Sequence, residues 1–461
     1  MSETKNLLAF DLGAESGRGI VGRFDGSHLQ LEVVHRFPNG GRPLMDALHW
    51  DVLHLHQEML NSLRLCATHY PSLDGIGVDT WGVDFALLGR GDTLLGNPRH
   101  YRDPHTEGVM EQAFEKVPRE EIFRQTGLQF MRFNTLFQLF AMQRDLSPIL
   151  ELAESLLMMP DFFNFLFTGQ KVNEYSNAST TQMYDPSAKK WAHSLVQSLG
   201  LPTQILGTIV APGTVLGPLR SSLANDLGLS KVPVIAPATH DTGSAVAAVP
   251  AQGESWAYIS SGTWSLMGVE IPEPLLTAET MESNFTNEGG VDGTIRLLKN
   301  IMGLWLVQEC RRSWQKAGRE YEYAELASMA EESTPFQCLI DPDDPSFILP
   351  ADMPQAIDEF CRRTNQPEPI EPGAVVRCAL ESLALRYRWV IERLEHLLSK
   401  RLDVIHIVGG GSQNRLLCQL TADACNRMVL AGPVEATAIG NLAVQAIGLG
   451  LFSNLSEARE V

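Results

Sequence analysis

The segment Thr239-His240-Asp241-Thr242 has the clearest potential for chemistry, because it follows the apolar run at residues 232–236. An acidic side chain that comes directly after a buried strand, among small residues and beside a histidine, is placed to take a proton from a hydroxyl group. The same aspartate could instead be the N-cap of a helix, because the residues that follow it favour helix. The local sequence leaves both interpretations open.

Three turns built from glycine and small polar residues could bind phosphate, at residues 11–18, 260–263 and 409–411. Such turns let backbone N–H groups point at anionic oxygens. In the first turn, Arg18 could contact a phosphate and Asp11 could hold Mg²⁺ through water. Each segment could also be a plain turn, but three glycines between a strand and a helix favour ligand contact.

Two known nucleotide motifs do not apply to this chain. Residues 17–22 match G-x-G-x-x-G, but the dinucleotide motif must lead into a helix and this one leads into an alternating strand pattern. A P-loop motif is absent from the sequence. Polar residues within apolar neighbourhoods, such as Asp79, Asp84 and Asn300, could be structural hydrogen-bonding groups.

Alternating strand and helix patterns predict the elements that position these residues. Two similar hairpins, one early and one in the second half, are each a strand, a turn of small residues and a returning strand. The C-terminal third alternates helix and strand, which predicts an α/β layer fold with a domain boundary near residues 236–250. The main predicted elements are strands 7–10, 19–22, 29–34, 75–79, 256–260, 264–271, 404–408 and 428–430, and helices 52–70, 374–400, 414–425 and 435–449.

Composition excludes several classes of protein. The 461 residues include 36 Lys plus Arg and 55 Asp plus Glu, for a net charge of −19, which argues against a nucleic-acid or membrane-surface partner. No apolar run reaches membrane-spanning length, so we expect a cytoplasmic protein. Seven cysteines without a CxxC motif argue against a zinc ribbon. The sequence leaves open whether Cys361 and Cys378 form a disulfide. It also leaves the oligomeric state open.

Six blocks, in order along the chain, together resemble the sugar kinases of the FGGY carbohydrate kinase family. The resemblance covers residues 6–450 and implies an α/β fold of two actin-like, ribonuclease-H-like ATPase domains with a catalytic cleft between them. The expected domains are 1–245, which binds the sugar, and 246–461, which binds the nucleotide. The six blocks are residues 11–18, 79–85, 239–242, 260–265, 300–305 and 408–414.

The resemblance also implies an activity: transfer of the γ-phosphoryl group of MgATP to O1 of a ketose, with L-rhamnulose as the expected acceptor. L-Fuculose or xylulose is an alternative acceptor, and an actin-like ATPase that is not a kinase is an alternative from another class. Asp241 would be the general base, and Asp11 would hold Mg²⁺ through water. The residues implied to contact ATP are Ala14, Glu15, Ser16, Gly17, Arg18, Thr263, Gln308 and Gly410. The residues implied to contact the sugar are Gly82, His240, Asp241, Thr242 and Asn300.

Overall fold

The computed structural model describes residues 4–70, 72–229 and 231–461, and its elements alternate between strands and helices. The strands are β1 Lys5–Leu12, β2 Ser16–Phe24, β3 Leu29–Pro38, β4 Gly41–Leu44, β5 Ala47–Trp50, β6 Gly75–Thr80, β7 Phe85–Gly89, β8 Thr93–Leu94, β9 Ser155–Met158, β10 Val172–Glu174, β11 Tyr184–Asp185, β12 Lys190–Trp191, β13 Thr208–Val210, β14 Thr214–Pro218, β15 Pro233–Ala236, β16 Trp256–Ser261, β17 Trp264–Ile271, β18 Thr286–Gly289, β19 Ile295–Met302, β20 Val404–Val408 and β21 Met428–Ala431.

The helices range from single turns to the long α15, whose apolar spacing predicted it. They are α1 Val52–His69, α2 Val109–Lys116, α3 Arg119–Thr126, α4 Thr135–Arg144, α5 Pro148–Leu152, α6 Met159–Thr168, α7 Tyr175–Ala178, α8 His193–Ser198, α9 Ser221–Leu227, α10 Asp241–Ala247, α11 Ala278–Glu282, α12 Trp305–Lys316, α13 Tyr323–Glu332, α14 Met353–Arg363, α15 Pro372–Leu398, α16 Arg415–Cys425, α17 Ala436–Gly448 and α18 Leu455–Ala458.

The chain forms two compact units, and each contains more than one segment. Unit 1 comprises Met1–Pro250, Glu270–Leu297 and Ala436–Val461, and unit 2 comprises Ala251–Val269 and Leu298–Glu435. Two stretches from the second half of the sequence therefore group with the first half. The expected division of sugar and nucleotide binding between residues 1–245 and 246–461 stays a prediction.

The main sheet of unit 1 has the strand order β14-β15-β6-β1-β2-β3. The early hairpin supplies its antiparallel pair β1 and β2, while β6 runs parallel to β1, and β15 runs parallel to β6. Strands β1 and β6 are buried almost throughout, as expected for strands covered by helices. Helix α17 packs on β1 and β6, and α6 packs on β6 and β15.

The second hairpin lies in a sheet with the order β18-β19-β17-β16-β20-β21. Strands β16 and β17 are antiparallel, and β20 runs parallel to β16 with β21 parallel to β20. Helix α15 packs against α13 and α16. Both predicted hairpins and the predicted α/β fold are confirmed.

The described helices include none with the length and apolar character that crossing a bilayer requires.

Candidate active site

Three aspartates lie at one edge of the unit 1 sheet, where parallel strands end. Asp11 near the end of β1 is paired in register with Asp79 near the end of β6. On the other side of β6, the Thr80 backbone N–H donates to the carbonyl oxygen of Thr239 at 2.9 Å, two residues before Asp241. Ligands of parallel α/β sheets bind outside the carboxyl ends of the strands, so this edge is the candidate active site.

The turn between β1 and β2 is tightly constrained. Its residues 13–16 are closed by a bond from the Gly13 N–H to the Ser16 carbonyl at 3.0 Å, and Asn39 Nδ2 donates to the Gly13 carbonyl at 2.7 Å. A Cβ at position 17 would lie 2.2 Å from the Phe37 ring, so any residue other than glycine would force that ring to move. Glycine at position 17 therefore allows Phe37 to pack closely against this hairpin.

The Arg18 guanidinium forms an ion pair with the Asp11 carboxylate across the β1–β2 hairpin. The two residues predicted to contact phosphate and Mg²⁺ are therefore direct neighbours. A phosphate bound here would contact Arg18, and a cation would be held by Asp11. Each ligand would then replace one member of the present ion pair.

Asp79 is fully buried, and its two carboxylate oxygens differ in their surroundings. Asn441 Nδ2 donates to Oδ2 at 2.5 Å, while Oδ1 is buried without a hydrogen-bond partner. Burial and the nearby Asp11 charge raise the pKa of Asp79 well above its usual range. The Asn441 contact supports the interpretation of Asp79 as a structural hydrogen-bonding group. Its Oδ1 can accept one more hydrogen bond.

Asp241 is the first residue of α10, and the N-cap position belongs to His240. The alternative that Asp241 is itself the N-cap is therefore wrong by one residue. Its Oδ1 accepts a bond from the Thr242 N–H at 2.5 Å, and the side chain remains 29% exposed. Burial first and then repulsion by Asp11 raise the pKa of Asp241, although His240 and the Thr242 bonds oppose that rise.

A buried carboxylate that sequence reasoning missed holds the segment before Asp241. Glu174 Oε2 accepts bonds from the backbone N–H and the hydroxyl of Thr239, each at 2.8 Å, and from the Ser176 hydroxyl at 2.5 Å. That hydroxyl oxygen in turn accepts from the His240 N–H at 3.1 Å. Glu174 lies 65 residues before Thr239, so no local pattern pointed to it.

His240 packs against a second pair that the sequence did not suggest, Glu288 and Arg296. His240 Nδ1 lies 3.2 Å from Glu288 Oε2, and Arg296 Nη2 lies 3.2 Å from both atoms. Arg296 is fully buried. Charged partners on strands β18 and β19 therefore fix the imidazole, which leaves Nε2 facing Asp241 Oδ1 at 3.5 Å.

Gly82 lies beside His240, which brings two of the residues predicted to bind sugar together. A Cβ at position 82 would lie 3.1 Å from the Thr180 side chain and 3.3 Å from His240 Nε2. The next residue, Val83, has a φ of 66°, a strained conformation for a β-branched residue. The Thr180 hydroxyl accepts from the Val83 N–H at 3.0 Å and helps to hold this conformation.

Asp84 completes the segment as a buried structural acceptor. The indole N–H groups of Trp50 and Trp81 donate to its Oδ2 at 2.6 and 3.1 Å, and Gln138 donates to Oδ1 at 2.8 Å. Burial nevertheless raises the pKa of Asp84 to about 7. Its bonds to the two indoles show a packing role, as the structural interpretation expects.

In unit 2, Thr263 lies in the tight turn between β16 and β17. Its carbonyl oxygen accepts from the backbone N–H groups of Gly303 and Trp305 at 3.2 and 3.1 Å. Position 303 admits only glycine, because a Cβ there would lie 2.6 Å from the Trp264 carbonyl carbon. The start of α12 is thereby held against the turn.

The glycine turn after β20 packs on the end of β16. A Cβ at position 411 would lie 2.0 Å from the Ser261 hydroxyl oxygen, whereas a Cβ at Gly410 would meet nothing within 4 Å. There is therefore space for a side chain at position 410, whereas Ser261 fills that space at position 411. Gln308 on α12 has a buried side-chain oxygen without a partner, and Asn300 is half-buried on β19.

Family models account for nearly the whole chain. Residues 6–248 match the N-terminal domain of the FGGY family of carbohydrate kinases, and residues 257–449 match its C-terminal domain. The chain therefore belongs to the FGGY family of carbohydrate kinases, whose members use ATP to phosphorylate sugars. This result confirms the predicted family and enzyme class and disfavours an actin-like ATPase without kinase activity.

Curated relatives and solved structures agree with this assignment. The chain is 48% identical to a rhamnulokinase of Bacteroides thetaiotaomicron, covering 99% of this chain and 93% of the relative. It is 44% identical to a rhamnulokinase of Oceanobacillus iheyensis, covering 98% and 95%. In structure it is similar to a ligand-bound xylulose kinase from Lactobacillus acidophilus, with a TM-score of 0.81 and 15% identity over 98% of this chain and 91% of the other, which shows the fold alone.

Proposed function

We propose that this protein transfers the γ-phosphoryl group of ATP to O1 of L-rhamnulose, giving L-rhamnulose 1-phosphate and ADP in L-rhamnose breakdown. Relatives named as rhamnulokinases, with 42–48% identity over nearly the full chain, support this choice of acceptor. The observation on which the proposal depends is Asp241, a partly exposed carboxylate beside His240 at the carboxyl edge of the parallel strands.

In the proposed reaction Asp241 is the general base. The O1 hydroxyl oxygen attacks the γ-phosphorus, the bond to the ADP oxygen breaks, and the O1 proton passes to the Asp241 carboxylate. Its partial burial and its raised pKa make it a better proton acceptor than an ordinary aspartate, provided that it is ionised. Gly82, His240, Thr242 and Asn300 are proposed to hold the sugar.

The carboxylates at this edge fit a magnesium ion. Asp11, Asp79 and Asp241 influence one another's charges, and hard oxygen donors are what Mg²⁺ prefers. Asp11 is proposed to hold the ion through water, while the free Oδ1 of Asp79 could accept from such a water. When bound, Mg²⁺ would neutralise charge on the phosphates of ATP.

The residues proposed to contact ATP are found in the β1–β2 hairpin, in two turns and on helix α12. In unit 1 they are residues 14–18, whose turn is closed and whose Arg18 is already ordered by Asp11. In unit 2 they are Thr263, Gln308 and Gly410. Because phosphoryl transfer has a loose transition state, alignment and charge neutralisation should supply most of the rate.

A panel of ketoses tests the acceptor. Purified protein with MgATP would be assayed for ADP formation with L-rhamnulose, L-fuculose and D-xylulose. We expect the highest kcat/KM with L-rhamnulose, and ³¹P and ¹³C NMR of the product should show the phosphate on O1. A clear preference for either other ketose would reject the proposed substrate while leaving the kinase assignment intact.

A further inference from the structure

Three buried cysteines of unit 2 form a cluster that the proposed kinase reaction does not use. Cys338 precedes α14, Cys361 is in the last turn of α14, and Cys378 is in the second turn of α15. Their sulfur atoms all lie within 4.8 Å of one another, and each residue is at most 2% exposed. All seven cysteines are free thiols.

Hydrogen bonds on both sides fix the loop that carries Cys338. The Phe336 N–H donates to Glu381 at 2.8 Å, and the Ile340 N–H donates to the Ser382 hydroxyl oxygen at 2.9 Å. The Ser382 hydroxyl then donates to the Cys378 carbonyl at 2.6 Å. The loop is therefore tied to α15 before and after Cys338.

A further link joins this loop to the end of α14. The Leu339 N–H donates to the Gln366 side chain at 2.8 Å, and the Gln366 N–H donates to the Cys361 carbonyl at 2.9 Å. The backbone thus holds the three thiols together without a disulfide between them. Donor atoms held in this way lose little conformational freedom when they bind a ligand.

The spacing suits a metal ion. Zn²⁺–thiolate bonds are about 2.3 Å long, so thiolates around one ion lie roughly 4 Å apart in trigonal or tetrahedral geometry. Sulfur atoms within 4.8 Å of one another reach this arrangement by small side-chain movements. Thiolates select soft or borderline ions such as Zn²⁺ rather than Mg²⁺.

The electrostatic surroundings favour a cation. Asp358 lies one turn before Cys361 on α14, and its Oδ1 is buried without a hydrogen-bond partner. Asp358 and Glu368 both place negative charge near Cys361. A cation held by the three sulfur atoms would be attracted by these charges, and a side-chain movement of Asp358 would supply an oxygen as the fourth ligand.

We propose that Cys338, Cys361 and Cys378 bind one thiophilic divalent cation of the Zn²⁺ class, with Asp358 as the fourth ligand. Binding releases the thiol protons to solvent and involves no oxidation. The ion would connect the loop before α14 with α14 and α15, and so stabilise unit 2 without taking part in phosphoryl transfer.

Cadmium is a spectroscopic probe for this site. Full-length protein, reduced and stripped with a chelator, would be titrated with Cd²⁺ while ultraviolet sulfur-to-metal charge-transfer absorption is recorded. We expect saturation at one equivalent, and at least a tenfold loss of affinity in C338S, C361S and C378S. C310S is the matched control, because Cys310 is also buried but lies on α12 outside the cluster. D358N should weaken binding by a smaller factor.

A measurement on the unmodified protein covers the case in which a serine variant does not fold. Zn²⁺ should protect Cys338, Cys361 and Cys378, but not Cys418, from alkylation mapped by mass spectrometry. Absence of charge-transfer absorption from fully reduced protein would overturn the proposal. So would a count of five thiols in the protein as isolated, with two of the three cluster cysteines joined as a disulfide.

Discussion

The two hairpins β1–β2 and β16–β17 have the same local architecture but carry different chemistry. In each, an antiparallel pair is followed, next to its first strand, by a parallel strand, β6 or β20. Asp11 and Asp79 lie next to the last residues of the unit 1 strands β1 and β6, whereas in unit 2 β16 ends in Ser261 and β20 leads into a glycine turn. The same framework therefore carries carboxylates near the ends of its strands in unit 1, and hydroxyl-bearing and glycine residues at or after the strand ends in unit 2.

Under the proposed function, this difference corresponds to two kinds of site. Carboxylates can accept a proton and hold Mg²⁺, whereas glycines and hydroxyls permit close approach of a nucleotide. The following predictions separate the two kinds of site, beginning with the largest expected effect.

Substitution of Asp241 tests the carboxylate side of the comparison. Asp241→Asn keeps the size of the side chain and removes the proton acceptor, so we expect kcat for sugar phosphorylation to fall by about 10²–10⁴-fold. ATP affinity, measured by calorimetry, should change little because none of the residues proposed to contact ATP is substituted. Turnover close to that of the wild type would show that Asp241 is not the base.

A pair of glycine substitutions tests the nucleotide side. Gly410→Ala adds a Cβ that meets no protein atom within 4 Å, so the melting temperature should not change, while the KM for ATP should rise roughly tenfold if the nucleotide lies against that backbone. Gly411→Ala places a Cβ 2.0 Å from the Ser261 hydroxyl oxygen and should lower the melting temperature instead. An unchanged KM for ATP in Gly410→Ala would remove Gly410 from the proposed contacts.

The pH dependence of kcat/KM for the sugar is the subtlest test. A base must be ionised to act, so activity should rise with pH through the raised pKa of Asp241 and level off above it. The midpoint of this rise in activity, the acid limb of the pH profile, should therefore lie above the ordinary aspartate pKa of about 3.9. His240→Gln removes a group that lowers this pKa and should move the limb to higher pH. A limb at the ordinary value, or one unaffected by this variant, would contradict the assignment.

The elements of the two hairpins and the final α-β-α-β-α run could be predicted from the sequence, because their signals are local. Helix α1 and strands β6, β15 and β20 fall within a few residues of their predicted limits. The N-cap at Asp241 was misplaced by one residue, since capping depends on backbone dihedrals that neighbouring residue types only partly specify.

The supporting residues of the site were not predictable in this way. Glu174, Glu288 and Arg296 reach the Thr239–Asp241 segment from distant points of the chain, and each looks like an ordinary charged residue in its own neighbourhood. Asn441, on the helix that packs over β6, contacts Asp79 across 362 positions. Only long-range packing brings them to the site.

The sequence by itself determined which residue types stand at the strand ends and in the glycine turns, because strand periodicity and turn chemistry act over a few neighbouring residues. The resemblance of six sequence blocks to the FGGY family indicated the family and the candidate base, and the residue types indicated the candidate turns. The tertiary structure alone decided which carboxylates share an edge, which pKa values rise through burial and mutual repulsion, and which three of seven cysteines meet. Those properties depend on distance and desolvation, and both are set by contacts between residues far apart in the chain.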